Sequence, residues 1–218
     1  MARRRRGDRW SAVARDLRAA GHLLVAGVDE VGRGPLAGPV VACAVIMPPH
    51  VRAIGGVDDS KQLAAHERER LAGRIRHKAL AIALGAASVH EVDRLNIYHA
   101  TVLAMRRAIA RLAVRPDHVV VDGRPLATLG IAHSAIVGGD GRCYAIACAS
   151  IIAKVTRDRL MASLARRHPG FGWDHNAGYG TAEHLAALAR YGATAHHRTT
   201  FAGVSGAAIT TLIPINPS

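Results

Sequence analysis

Leu23-Leu24-Val25-Ala26-Gly27-Val28-Asp29-Glu30-Val31-Gly32-Arg33-Gly34 is the stretch on which the fold turns. An apolar run that ends in two adjacent carboxylates and a Gly-Arg-Gly turn reads as a buried strand whose carboxyl end opens onto a site. Desolvated carboxylates need a cation or several donors, and a divalent metal ion is the most economical partner. Gly32 and Gly34 let backbone N–H groups come close to a ligand, and Arg33 between them suits a phosphate. Successive strand residues point to opposite faces, so Asp29 and Glu30 share one site only if the strand bends there, which Gly32 and Gly34 permit.

Outward from this strand the chain alternates in period. A second β-rich run, 40–47, follows a turn region containing Pro35 and Pro39, and strand-like runs recur at 79–88, 118–121 and 131–137. Asp58-Asp59-Ser60-Lys61 reads as a helix cap leading into a charged helix over 62–78, with Leu63, Leu71 and Ile75 inward. Helical periodicity also covers 96–112, 144–167 and 182–191, while 169–180 is a glycine-rich loop and no pattern is legible beyond Phe201. Three strands followed by helix–strand units predict an α/β fold, a sheet with helices on its faces. Residues 1–20 are expected to form a basic arm and a short helix, with the ordered domain starting near Leu23.

The 218 residues suit one compact domain with an appendage, and half of them are hydrophobic, enough for a real core. Lysine plus arginine number 29 against 16 acidic residues, a net charge of +13 that favours a polyanion such as nucleic acid. An arginine-rich but otherwise ordinary soluble protein would show the same excess. Cys43, Cys143 and Cys148 sit among apolar or small residues and form no C-x-x-C pair, which fits structural cysteines in a reducing compartment. The longest apolar run, 40–48, is far too short to span a bilayer. Arg15, Asp16 and Arg18 interrupt what would be the apolar core of an export signal, so a cytoplasmic protein is expected.

Asp122 ends the run Val119-Val120-Val121, and Asp140 follows 131–137 through two glycines. Ligand sites in open α/β sheets gather at the carboxyl ends of strands, so Asp29, Glu30, Asp122 and Asp140 are expected to converge. Taken singly, an Asp-Gly after a strand is ordinary turn chemistry; taken together, the four acids call for two Mg²⁺ or Mn²⁺ ions to relieve their repulsion. Such a pair activates water and stabilises a leaving oxygen, the requirements of phosphodiester hydrolysis.

The segment Val28-Asp29-Glu30-Val31-Gly32-Arg33-Gly34-Pro35-Leu36-Ala37-Gly38-Pro39-Val40 resembles the opening motif of bacterial ribonuclease HII. Asp59-Ser60-Lys61, Asn96-Ile97, Val121-Asp122-Gly123, Gly139-Asp140, Ala149-Ser150-Ile151-Ile152-Ala153-Lys154-Val155-Thr156-Arg157-Asp158, Gly178-Tyr179-Gly180 and His196-His197-Arg198 are similar to that family in the same order, so the resemblance runs from about Leu23 to Phe201. It implies a ribonuclease H-like mixed five-stranded sheet with a catalytic domain over 21–168 and a C-terminal helical extension over 169–218 in the same structural unit. It also implies a monomer that cuts RNA in RNA–DNA hybrids and incises 5′ of single ribonucleotides in duplex DNA, leaving a 3′-hydroxyl and a 5′-phosphate.

By motif, the resemblance makes Asp29, Glu30, Asp122 and Asp140 the catalytic metal ligands, and Gly32, Arg33, Gly34 and Tyr179 the readers of the ribonucleotide junction. Lys61 is a candidate phosphate clamp. Asp158, four residues after Lys154, reads instead as an ion pair on a helix face. Lys154, Arg157, Arg166, Arg167 and His196-His197-Arg198 are expected to track the duplex backbone or to form exposed faces. One departure from the family lies in His175-Asn176-Ala177-Gly178-Tyr179, where many relatives carry lysine before Gly-Tyr.

Two other readings use the same residues. A non-hydrolytic nucleic-acid-binding module would use the basic surface and glycine loops but leaves four acids facing a polyanion. A two-metal nuclease of the same broad fold acting on DNA junctions would keep the acids but not the reading of a 2′-hydroxyl. A P-loop NTPase has no support, since no G-x-x-x-x-G-K-[ST] occurs.

Overall fold

The computed structural model describes residues 10–49 and 52–205; the Arg3–Arg6 arm and the end of the tail lie outside them. Five strands, β1 (Val25–Val31), β2 (Val40–Ile46), β3 (Ala81–Ala87), β4 (His118–Asp122) and β5 (His133–Ile136), form one sheet in the order β3-β2-β1-β4-β5. The first three are antiparallel neighbours, whereas β1, β4 and β5 run parallel, so the sheet is mixed. Among the described residues seven α-helices flank or extend it: α1 (Ser11–Ala19), α2 (Ala65–Lys78), α3 (Val89–Ala110), α4 (Gly139–Arg142), α5 (Tyr144–Arg167), α6 (Trp173–Asn176) and α7 (Ala182–Tyr191).

Helix α3 covers one face of the sheet, burying Met105 and Ile109 with Val28 and Val121. Helices α2 and α5 cover the other, where Leu71 and Ile75 meet Cys43, Ile151 and Ile152. The first half of α5 is small as well as apolar, and it lies so close to β1 that a Cβ on Gly27 would fall 2.2 Å from the Ala145 carbonyl carbon. Glycine is required there by proximity alone. Trp10 is buried and its ring meets that of Tyr144 at 5.9 Å, which seats α1 against the start of α5.

Two elements differ from the sequence expectation. The helix expected from Asn96 begins at Val89, closed by a capping box between Ser88 and Glu91. Asn96 is a kink inside it, with φ of 67° and a side chain that caps the second half by accepting from Tyr98 N and His99 N. The helix expected from residue 62 starts instead at Ala65, after a 3₁₀ turn at Ser60–Gln62 capped by Asp59. All three cysteines are free and buried. No described helix is long and apolar enough to cross a membrane.

Candidate active site

The register of β1 on β4 pairs Val28 with Val121, which puts Asp29 and Asp122 side by side one step further on, at the carboxyl ends of two parallel strands. Asp29 is buried and lies opposite Cys43 on the α5 side of the sheet. Its Oδ1 accepts from Glu30 N at 2.8 Å, and the Ser150 side chain of α5 lies close enough to oppose the rise in its pKa. Strand β1 continues unbroken past Glu30 to Val31, still paired with Val41, so no bend brings the two acids together. Glu30 therefore points to the opposite face of β1 from Asp29, and its charge acts on Asp29 and Asp122 across the end of β1, which β4 leaves uncovered by stopping at Asp122.

Asp122 Oδ1 accepts from Gly139 N at 2.6 Å, which draws the start of α4, and with it Asp140, to the same rim. A Cβ on Gly139 would sit 3.2 Å from that oxygen and 2.6 Å from Ile146 Cδ1, so the residue beside Asp140 has to be small. On the other side, Ser60 Oγ and Ser150 Oγ meet at 2.8 Å and anchor the 3₁₀ turn that carries Asp59 and Lys61.

The electrostatics are those of crowded, desolvated acids. Burial pushes the Asp29 carboxyl well above the ordinary carboxylate range, and the charges of Glu30 and Asp122 push it further. Glu30 is raised by burial, with Arg33, whose Nη1 lies 3.4 Å from Oε1, opposing the effect of Asp122. Asp140 is raised by burial, then by Asp59 and Asp122. Partial burial would lower the Lys61 ammonium, but the charges of Asp140, Asp59, Asp29 and Asp122 outweigh it and push its pKa up. Lys61 is thus a second cation of the cluster beside Arg33, and Asp59 a fifth acid at its edge.

Among the described residues, no three carboxylate, imidazole or thiol groups are gathered as a ready coordination shell. The donor set consists of carboxylate oxygens without sulfur or imidazole, which fits a hard divalent ion such as Mg²⁺ or Mn²⁺.

Beside the acids lies a shelf made of two loops. Arg33 and Gly34 are exposed, and Tyr179 is 49 % exposed, with its Cε1 3.4 Å from where a Gly34 Cβ would stand. Leu36 N donates to Gly178 O at 2.8 Å, tying the loops together, and Asn176 Oδ1 accepts from Gly178 N to shape the second.

Not every basic residue expected at the duplex is available to it. Arg157, His197 and Arg198 are buried, so they neither track a backbone nor form an exposed face. For Arg157 the spacing held a signal, because Ile146, Ser150, Ala153, Arg157, Met161 and Leu164 form one stripe at helical period and the other five are buried core. Arg166 and Arg167 are exposed. Asp158 pairs with Lys154 Nζ at 2.7 Å and faces Arg68 at 3.7 Å, away from the acid cluster in its bonding. Asp59 and Ser150 lie in segments that resemble the family, but a cap and a helix interior account for them, so the sequence does not mark them as site residues.

Residues 26–204 match the family model described as Ribonuclease HII. The chain is 56 % identical over 182 residues to a ribonuclease HII of Granulibacter bethesdensis, covering 82 % of this chain and 83 % of that one. It is 53 % identical over 205 residues to that of Burkholderia thailandensis, covering 93 % and 95 %. In three dimensions it is similar to the crystal structure of the ribonuclease H2 from Pyrococcus horikoshii, with a TM-score of 0.70 at 26 % identity over 83 % of this chain and 94 % of the other.

Proposed function

The chain belongs to the ribonuclease HII family of metal-dependent ribonucleases H, and from that premise we propose that it cuts the RNA strand of RNA–DNA hybrids and incises 5′ of single ribonucleotides in duplex DNA. The observation that carries this reading is the adjacency of two features: Asp29 and Asp122 side by side at the strand ends, and the Gly34–Tyr179 shelf, linked to the acids through the Arg33–Glu30 pair at 3.4 Å. Acids alone would serve any phosphodiester; the shelf gives the sugar selectivity.

Asp29, Glu30, Asp122 and Asp140 are the residues to hold two Mg²⁺ or Mn²⁺ ions, which supply charge neutralisation and an activated water for hydrolysis to a 3′-hydroxyl and a 5′-phosphate. Lys61 offsets the acid charge at the rim and attracts the substrate phosphate. Main-chain N–H groups of Gly32-Arg33-Gly34 approach the 2′-hydroxyl, the one group that separates RNA from DNA. Tyr179 packs its exposed ring on the deoxyribose that follows. The net charge of +13 brings a duplex to a cleft that would otherwise repel it.

Matched duplexes that differ by one sugar hydroxyl, each with and without Mg²⁺ or Mn²⁺, test the proposal. Cutting 5′ of the ribonucleotide, only with the ion and only in the hydroxyl-bearing duplex, is the expected result. Binding without cutting would favour a non-hydrolytic module, and equal cutting of the all-DNA duplex would favour a DNA-junction nuclease.

A further inference from the structure

Arg157 and Arg198 are completely buried cations that the proposed chemistry leaves unused. Each is held by main-chain carbonyls and not by a carboxylate. Arg157 donates from Nε to Pro39 O at 3.0 Å, from Nη2 to Ala37 O at 3.0 Å and from Nη1 to Ala177 O at 2.8 Å. Arg198 donates from Nε and Nη2 to Gly38 O, from Nη1 to Arg33 O at 2.9 Å and from Nη2 to Gly32 O. Burial pushes both guanidinium pKa values down to about 10, which leaves both charged at neutral pH.

The direction of these bonds fixes the polarity of the loop. A trans peptide holds its C=O and the following N–H on opposite sides, and the described residues contain no cis peptide. Capture of the Gly32 and Arg33 carbonyls from beneath therefore turns the N–H groups of Arg33 and Gly34 outward. Neither amide donates to a protein acceptor among the described residues, and both residues are exposed next to the Tyr179 ring. Gly32 is bound to the same device, since at its φ of +91° a Cβ would stand 2.2 Å from Arg157 Nε.

We propose that Arg198 is a positioning residue for sugar recognition: it holds the Gly32 and Arg33 carbonyls inward so that the paired N–H groups of Arg33 and Gly34 face the 2′-hydroxyl oxygen. Arg157 fastens the same loop to the segment that carries Tyr179. This rests on the sugar-reading role proposed above for Gly32-Arg33-Gly34.

The test is Arg198→Lys, whose ammonium ends one bond short of the terminal nitrogens that hold Gly32 and Arg33 while still reaching Gly38 O. Affinities are measured in EDTA for two duplexes that differ by one ribose. Wild-type protein is expected to bind the ribose-containing duplex about tenfold more tightly, the scale of one or two hydrogen bonds. In Arg198→Lys that ratio should fall to about two, with affinity for the all-DNA duplex unchanged, a split that general loss of structure would not produce. Wild-type protein without any preference overturns the sugar reading itself; a preferring wild type beside an equally preferring, folded variant overturns only the role of Arg198. Should the variant not fold, ¹⁵N spectra of the wild type decide. Arg33 and Gly34 amides that exchange rapidly and shift with the ribose duplex but not with the all-DNA duplex support the proposal, and protected or unresponsive amides overturn it.

Discussion

Asp29 sits where its own charge opposes folding. Buried, and facing Glu30 and Asp122, its carboxyl is raised, so over the pH window above the ordinary carboxylate range the folded state holds a proton that the unfolded state has released. The metal-free protein therefore loses stability as pH rises through that window, and a bound cation restores it. Asp29→Asn should raise the metal-free melting temperature at pH 8 by about 2–4 °C, the scale of 1 kcal/mol in a chain of this size. It should also lower hydrolysis by at least about 10²-fold and remove most of the stabilisation that Mn²⁺ gives the wild type. Calorimetry with and without Mn²⁺ reads all but the activity, and an unchanged Mn²⁺ shift in the variant would remove Asp29 from the metal site. Asp29, Asp122 and Asp140 could be picked out in the sequence because each closes an apolar run. Asp59 could not, because a local cap already accounts for it. Its approach to Asp140 depends on the Ser60–Ser150 contact, which joins residues ninety positions apart.

Helix α5 is the element that connects these residues. It brings Ser150 to Asp29, Ser150 to Ser60, and Arg157 to the carbonyls of Pro39 and Ala177, and it does so by lying directly on β1 at Gly27. Gly27→Ala should lift the helix and cost about 3 kcal/mol, the upper range for an overpacked core. Gly73→Ala on the exposed face of α2, where a Cβ meets nothing within 4 Å, should add about 0.5–1 kcal/mol. Urea midpoints with unchanged slopes check both, and a Gly27→Ala protein as stable as its parent would mean that α5 does not rest on β1 in this way. The run 144–167 was legible from its length, its period and the absence of proline. The first turns of α3 were not, because the Asn96 kink interrupts the period and the capping box at Ser88 lies where a strand was already ending.

At the scale of the whole molecule, the C-terminal segment is joined to the connection between β1 and β2 through a bridge between Ala37 and His197, and a buried network behind Tyr179 holds the segment itself together. His184 Nδ1 donates to Tyr179 O, Trp173 Nε1 donates to His184 Nε2, and Thr194 N donates to His197 Nδ1. His197 is left with its proton on Nε2, which points at His184 Nε2 3.0 Å away, so both rings are neutral and every nitrogen is committed. A histidine pair was visible in the sequence, but its depth was not, since His196-His197-Arg198 reads equally well as a basic surface. Burial, followed by the proximity of the titratable rings of His184, His196 and His168, pushes His197 down to about 3. A depressed folded-state pKa means that the stability from a neutral His197 is complete above the ordinary histidine range and is lost as pH falls from about 6.5 toward 3. One proton taken up on unfolding costs about 1.4 kcal/mol per pH unit, or about 3–6 °C of melting temperature here. His197→Gln retains hydrogen-bonding capacity but does not titrate, so its melting temperature should fall less steeply than the wild type between pH 6.5 and pH 4.5. The carboxylate cluster contributes equally to both proteins and cancels in the difference. Thermal unfolding of the two across that range, in one buffer series, measures it, and parallel curves would show that His197 is not held neutral by its burial.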